Sequence, residues 1–349
     1  MSDISTIDKN FKVPTKLTET DIKFYDVNES PFKVYGLFYE DGKFKRMPKA
    51  VAQTVNDGVL SFHANTAGGR VRFKTNSPYV AIFTKMSRIT KMSHFPLTGS
   101  AGFDLYVGAK NPKYTATFVP PFDITDGYES IARFEGKKMR DITINFPLYS
   151  EVSQLYIGVS NTAQVLPADE YKNNKPIVYY GSSITHGGCA SRPGNSYESI
   201  ISRRLDCDFI NLGFSGSAKG EVEFARYIAG LNMSAFVYDY DHNAPDLNHL
   251  KATHQKMFNI IRGANPNLPI IIMPRPKFTP TEDELLRFEV IKATYDAARA
   301  NGDNNVYLLD NKTLMGLAGD DGTVDNCHPN DLGFMSMANA VGDILEKIL

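Results

Sequence analysis

In Asp325-Asn326-Cys327-His328-Pro329 an aspartate stands three residues before a histidine, a spacing suited to acid–base chemistry. On one loop the Asp325 carboxylate can hold one imidazole nitrogen of His328 while the other faces a hydroxyl, as a serine nucleophile requires. A hydroxyl is offered by Gly181-Ser182-Ser183-Ile184-Thr185-His186-Gly187-Gly188, where flanking glycines let the backbone turn sharply beside a ligand. Taken alone, each stretch has a plainer reading as a helix-capping loop. Gly216, in Asn211-Leu212-Gly213-Phe214-Ser215-Gly216-Ser217, could present its N–H to an anionic oxygen, or its loop could bind phosphate. Asn243, in Asp239-Tyr240-Asp241-His242-Asn243-Ala244-Pro245, could add a side-chain donor. His242 could be a base or a metal ligand, although a partly exposed loop histidine with no role is the plainer reading. Cys327 could be a thiol nucleophile, but neighbours on an extended loop tend to point apart from each other.

Rival chemistries lack their motifs. Neither G-x-G-x-x-G nor a P-loop lysine is present, and G-x-S-x-G fails at Thr185 and at Ser217. His249 and His254 are five apart, where a helical zinc pair needs four, so they read as surface residues. Three cysteines without a C-x-x-C spacing indicate neither a zinc knuckle nor a disulfide framework. No metal or organic cofactor is expected.

The elements that must position these residues fall into two halves. From about residue 30 to 160 the chain reads as short strands, among them 32–38, 70–74, 79–83 and 141–146. Turn signals such as Asn56-Asp57-Gly58 separate them. Arg70 to Lys74 alternates charged and apolar residues, the mark of a strand with one wet face. Many strands with hardly any helical period imply an all-β jelly-roll sandwich. Beyond about residue 175, strands at 176–180, 209–212, 235–238, 270–273 and 306–309 alternate with helical patterns at 196–205, 247–261, 281–300 and 332–349. That alternation implies an α/β fold, a parallel sheet covered on both faces. The seam at Ala163–Lys175 divides the chain into a sandwich, 1–165, and an α/β/α domain, 166–349. Ser183, Gly216, Asn243 and the Asp325/His328 pair then each follow a different strand of one sheet, at the edge where such sheets bind ligands.

With 349 residues, a net charge of −1 and no long basic run, the chain disfavours a nucleic-acid partner or an anionic membrane surface. No run of about 18 apolar residues exists to span a bilayer. The polar start, MSDISTIDKNFKVPTK, lacks the apolar core of a signal peptide. A cytoplasmic location is therefore expected, although a secreted chain already freed of its signal would look the same.

The four blocks resemble those of the SGNH (GDSL-type) hydrolases: Gly181-Ser182-Ser183-Ile184-Thr185, Gly216, Asn243, and Asp325 to Pro329. The resemblance implies a three-layer, flavodoxin-like α/β/α domain with Ser183 as nucleophile, His328 as base and Asp325 as its orienter. Ser183 N–H, Gly216 N–H and the Asn243 side chain would form the oxyanion hole. Gly102-Phe103-Asp104-Leu105-Tyr106 is similar to the G-x-D-L-Y signature of a β-sandwich that precedes one SGNH subgroup. Two departures stand out: Ser182 replaces the usual Asp of G-D-S, and Asp241-His242 replaces glycines before Asn243. The resemblance implies a serine esterase releasing a small acyl group, acetyl above all, from a carbohydrate or other small-molecule ester. Asp104, Tyr106, Asp241 and His242 are possible substrate contacts. Two alternatives are an acyltransferase with a sugar or natural-product alcohol as acceptor, and a non-catalytic carbohydrate-binding protein. Oligomeric state is not readable.

Overall fold

The computed structural model describes Asp8 and residues 16–349. The N-terminal stretch read as lacking a signal peptide lies, apart from Asp8 and Lys16, outside the described residues. In the first half the strands are β1 (Ile22–Asp26), β2 (Lys33–Tyr35), β3 (Phe38–Glu40), β4 (Lys43–Lys45), β5 (Arg70–Thr75), β6 (Tyr79–Arg88), β7 (Phe103–Val107), β8 (Lys113–Phe118), β9 (Gly127–Arg133), β10 (Arg140–Asn145), β11 (Glu151–Ser160) and β12 (Val165–Leu166). They build two antiparallel sheets, ordered β1-β11-β6-β9 and β12-β5-β10-β7-β8, with β2 also on β5 and β3-β4 a separate pair. Alternate residues of both sheets, including Val71, Phe73, Ile82, Leu105, Ile142 and Ile157, point inward to a shared core. This is the expected antiparallel sandwich.

The second half carries β13 (Asn173–Gly181), β14 (Cys207–Gly213), β15 (Ala235–Asp239), β16 (Ile270–Ile272) and β17 (Val306–Leu308), all parallel, in the order β14-β13-β15-β16-β17. The strand period of two sends Val178 and Tyr180 to one face, against helices Val222–Ala229 and Leu247–Ala264. Ile177 and Tyr179 go to the other, against helices Tyr197–Leu205 and Asp331–Ile348. The chain reverses its winding between β13 and β15, so the loops bearing Ser183 and Asn243 flank the crevice where such sheets take ligands. Among the described residues no helix is long and apolar enough to cross a membrane.

Several local expectations change. The run 32–38 is broken at Gly36, whose φ of +72° leaves the strand region and whose Cβ would meet Gly68 O at 2.4 Å. Asn56-Asp57-Gly58 is a helix start rather than a turn: the Asn56 side chain accepts from Val59 N at 2.9 Å and caps helix Asp57–Phe62. That helix and its predecessor, Lys49–Val55, put Val59 and Ala52 into the α/β core, an anchorage invisible to strand periodicity. Helix Val222–Ala229 also went unanticipated.

The alternation at Arg70–Lys74 does not mark a wet face. Arg70 and Arg72 are buried against the α/β half. Arg70 donates to Phe209 O (3.1 Å), pairs with Asp208 and lies over the Phe209 ring at 3.9 Å, while Arg72 lies over Tyr171 at 4.1 Å. Cation–π contact and paired charge make burial tolerable for residues that alternation alone assigns to solvent. His254, read as a surface residue, is buried too. It stacks on Tyr238 at 4.5 Å, with Nδ1 2.8 Å from Thr294 Oγ1.

Candidate active site

Ser183 stands two residues past the end of β13, in a tight helical turn closed by His186 N→Ser182 O (3.0 Å) and Gly188 N→Ser183 O (2.8 Å). Ser182, buried where the resemblance leads one to expect Asp, accepts from Ile184 N at 3.1 Å. It does locally what a short carboxylate would do, fastening the turn through a backbone N–H. The turn presses so tightly on β14 that a Cβ at Gly213 would lie 2.2 Å from His186 N. The helix-capping reading of Ser183 does not apply, because the next α-helix begins only at Tyr197.

His328 Nε2 stands 2.9 Å from Ser183 Oγ, and His328 Nδ1 stands 2.8 Å from Asp325 Oδ2. Asp325 Oδ1 accepts from the N–H groups of Cys327 (3.1 Å) and His328 (2.7 Å), so one carboxylate shapes the loop and orients the ring. Burial pulls the Asp325 carboxyl up, but the hydrogen bonds and charge of His328 outweigh it and hold the group below the usual carboxylate range. Asn326 takes the left-handed backbone (φ 65°) that lets the loop double back, and Lys277 Nζ donates to its carbonyl at 3.1 Å. Capping of the last helix falls to Asn330, which accepts from Leu332 N and Gly333 N. That leaves Asp325 free for His328.

The loop after β14 carries Gly216 at φ +62° with open space around it. Among the described residues neither Ser183 N–H nor Gly216 N–H donates to another protein group, so both are available to an oxyanion. Asn243 differs from expectation. Its Nδ2 donates to Phe214 O (2.9 Å) and Ala218 O (3.0 Å), so both amide hydrogens are spent on the loop that bears Gly216. It fastens that loop rather than offering a third donor.

The remaining candidates are held in other contacts. The Asp104 carboxylate is fully buried and accepts from Asn145 Nδ2 (2.7 Å), Arg192 Nη1 (2.9 Å) and Gly194 N (2.8 Å). Tyr106 meets Arg192 through its hydroxyl and lies under the Arg203 guanidinium at 4.1 Å. Both therefore clamp β7 to the loop before helix Tyr197–Leu205, with no face left for substrate. Asp241 is also buried, held by Arg275 Nε (2.9 Å) and Arg287 Nη1 (3.3 Å). His242 lies half-buried with Nδ1 3.8 Å from Cys327 Sγ; burial, then Arg275, push its imidazole down to about 3, so it stays neutral. Cys327 thus turns to His242 while His328 turns to Ser183, and burial raises its thiol above the ordinary value.

Long-range partners escaped the sequence reading. Tyr149, from the sandwich half, donates to Ser183 O at 3.2 Å and stacks on the buried His186 at 3.9 Å. Burial, then Arg46, keep His186 neutral, well below the usual imidazole range. Arg46 reaches across from the sandwich to Gly213 O (2.6 Å) and Asn211 Oδ1 (3.1 Å). No local pattern distinguishes these residues.

Beneath the turn, Thr185 Oγ1 donates to Asp239 Oδ2 at 3.2 Å, while Asp239 Oδ1 has no partner among the described residues. Burial, then Asp241, push the Asp239 carboxyl up to about 8 from its ordinary 3.8. Below 3.8 both folded and unfolded chains hold this proton; between the two values only the folded chain does. Stability is therefore lost as pH climbs from about 4 to 8, by at most about 1.4 kcal/mol per pH unit from this group. Asp239→Asn is expected to flatten that slope and to raise the urea midpoint more at about pH 7.5 than at about pH 5. An unchanged slope would count against a protonated Asp239.

The sequence matches the GDSL-like lipase/acylhydrolase family over residues 174–346. Residues 22–165 match the GxDLY family, the N-terminus of SGNH hydrolase-type esterases. No curated protein is matched. Among solved structures, a Bacteroides ovatus protein classed as a GDSL-like lipase is 28% identical, with a TM-score of 0.84 over 94% of this chain and 98% of that one. A salicylyl-acyltransferase from a tetracycline biosynthetic pathway is 19% identical (TM-score 0.77; 95% and 99% covered). A family two carbohydrate esterase from Clostridium thermocellum, in complex with cellohexaose, is 14% identical (TM-score 0.59; 90% and 98% covered). The last two share the fold across both halves. Paired with its GxDLY sandwich, the α/β/α half makes this chain a member of the GDSL-like lipase/acylhydrolase family of SGNH hydrolases.

Proposed function

We propose that this chain is a serine esterase hydrolysing a small acyl ester, acetyl above all, borne by a carbohydrate. The observation that carries the reading is the line Ser183 Oγ–His328–Asp325, with contacts of 2.9 and 2.8 Å. His328 Nε2 takes the Ser183 proton as Oγ bonds to the ester carbonyl carbon. The oxygen, now anionic, receives the N–H groups of Ser183 and Gly216; each such donor is worth about 3–4 kcal/mol of barrier. His328 then gives the proton to the departing alkoxide as the C–O bond breaks, leaving an acyl group on Ser183. Water, deprotonated by His328, attacks the acyl carbon; as the acyl–Oγ bond breaks, His328 returns the proton to Ser183 and the acid leaves. Asp325 holds His328 in the tautomer with the Nδ1 proton and stabilises the imidazolium that forms.

A carbohydrate ester is favoured because carbohydrate esterases share this two-part architecture. The acetyl xylan esterase of Butyrivibrio proteoclasticus, for instance, covers 94% of this chain at a TM-score of 0.58. The acyltransferase fold-relative makes an alcohol acceptor the second reading. Acyl release is to be followed over acetylated oligosaccharides and aryl acetates, with and without an added alcohol, and the trapped acyl group mapped by mass spectrometry. Acetate release with the acyl group on the Ser183 peptide is the expected result. Transfer to the alcohol in preference to water would replace hydrolysis by transfer, and an acyl group elsewhere would overturn both.

A further inference from the structure

The sandwich half reaches the rim of this site through a turn that none of the chemistry above uses. His94 lies exposed on the turn bridged by Met92 and Phe95, and its ring is 5.9 Å from that of His328. From the α/β half, buried Cys189 follows the Ser183 turn directly after Gly188. Its backbone is left-handed (φ 74°), uncommon for a residue with a side chain and a conformation that tends to be kept where function needs it. One ligand atom each from His94, Cys189 and His328 lie within 4.8 Å of one another.

We propose that His94, Cys189 and His328 form a site for a thiophilic divalent cation, for which zinc is the probe, and that its occupancy withdraws His328 from Ser183. Two imidazoles and a thiol are a donor set that selects such ions over magnesium or calcium. Zinc bonds of about 2.0–2.3 Å in a tetrahedron put neighbouring ligands about 3.3–3.7 Å apart. The spacing, at most 4.8 Å between any two of the three atoms, closes to that by rotation of the exposed His94 side chain together with a small shift of Cys189 or His328. His328 already has the outer partner that metal-bound histidines use, a carboxylate on the other nitrogen. Because Asp325 holds Nδ1, the nitrogen left for the cation is Nε2, which otherwise meets Ser183 Oγ. Cys189 loses its thiol proton to solvent as the metal–sulfur bond forms. The inhibitory consequence rests on reading His328 as the base; binding itself does not.

The test titrates the full chain with Co²⁺, following thiolate-to-cobalt absorption, and separately measures Zn²⁺ inhibition of aryl acetate turnover with reversal by chelator. Wild type and Ser183→Ala are both expected to show the thiolate band at one equivalent. Cys189→Ser loses the band. His94→Ala, at an exposed position that does not threaten folding, raises the half-inhibitory Zn²⁺ concentration at least about tenfold relative to its own metal-free rate. No thiolate band in wild type, or equal Zn²⁺ sensitivity of wild type and His94→Ala, overturns the proposal. A band with undiminished turnover removes His328 from the ligand set and overturns it equally. A band in a chain that hydrolyses no ester keeps the cation site and fails the esterase reading alone.

Discussion

Replacing Ser183 by alanine is expected to lower kcat for an acetyl ester by about 10⁵–10⁶-fold while moving the unfolding midpoint little. The change removes the atom that bonds to the carbonyl, so no acyl-enzyme forms, and what remains is binding plus two oxyanion donors. Ser183 Oγ makes one hydrogen bond in a partly buried setting, worth about 0.5–1.5 kcal/mol to the fold. His328→Ala is expected to cost about as much, and the double variant no more than either, because the two act as a unit. Asp325→Asn is expected to lose about 10⁴-fold through the wrong tautomer. It would also weaken the loop, since Asp325 Oδ1 binds the N–H groups of Cys327 and His328. Steady-state kinetics beside urea unfolding separates the effects. Turnover in Ser183→Ala within about tenfold of wild type would remove this serine as nucleophile.

Arg46→Met is expected to cost about 1–3 kcal/mol of stability and to lower kcat about tenfold or more. The Arg46 guanidinium is buried without a carboxylate partner and is held instead by Gly213 O (2.6 Å), Asn211 Oδ1 (3.1 Å), Phe62 O (3.1 Å) and the Phe214 ring at 4.4 Å. Burial draws its guanidinium down to about 9, which leaves it charged at neutral pH. A methionine fills the volume but leaves the Gly213 carbonyl without its donor, at a cost of about 1–3 kcal/mol, while Phe62 O keeps the N–H of Asn65 at 3.0 Å. The activity loss follows because Gly213 and Phe214 lead directly into the Gly216 loop, where a shift of about 1 Å is enough to misplace a donor. Arg46→Lys keeps the charge but not the planar fork, so it should fall between the two. Wild-type stability and rate in Arg46→Met would remove Arg46 from the residues that shape the site.

How much was legible in the sequence divides along contact range. Asp325 and His328 were readable because the aspartate that orients the ring lies on the same loop, three residues away. The parallel sheet was readable because buried strands and amphipathic helices alternate with distinct periods. The same reasoning failed at Arg70–Lys74, since a period of two tells which residues share a face but not what covers that face. It failed again at Asn56-Asp57-Gly58, where the residues of a turn also serve as a helix cap.

The sequence by itself therefore determined the two-part architecture and the residues whose partners are near in the chain: the Ser183 turn, the Asp325–His328 loop and the exposed glycine at 216. Only the tertiary structure decided that Asp104 and Tyr106 clamp the halves together, that Asn243 spends both hydrogens on Phe214 and Ala218, and that Arg46, Tyr149 and His94 reach the site from the sandwich. The physical reason is the same in each case. Burial and hydrogen-bond satisfaction are settled by which surfaces meet, and residues 25 or more positions apart leave no periodic trace of that meeting in either segment.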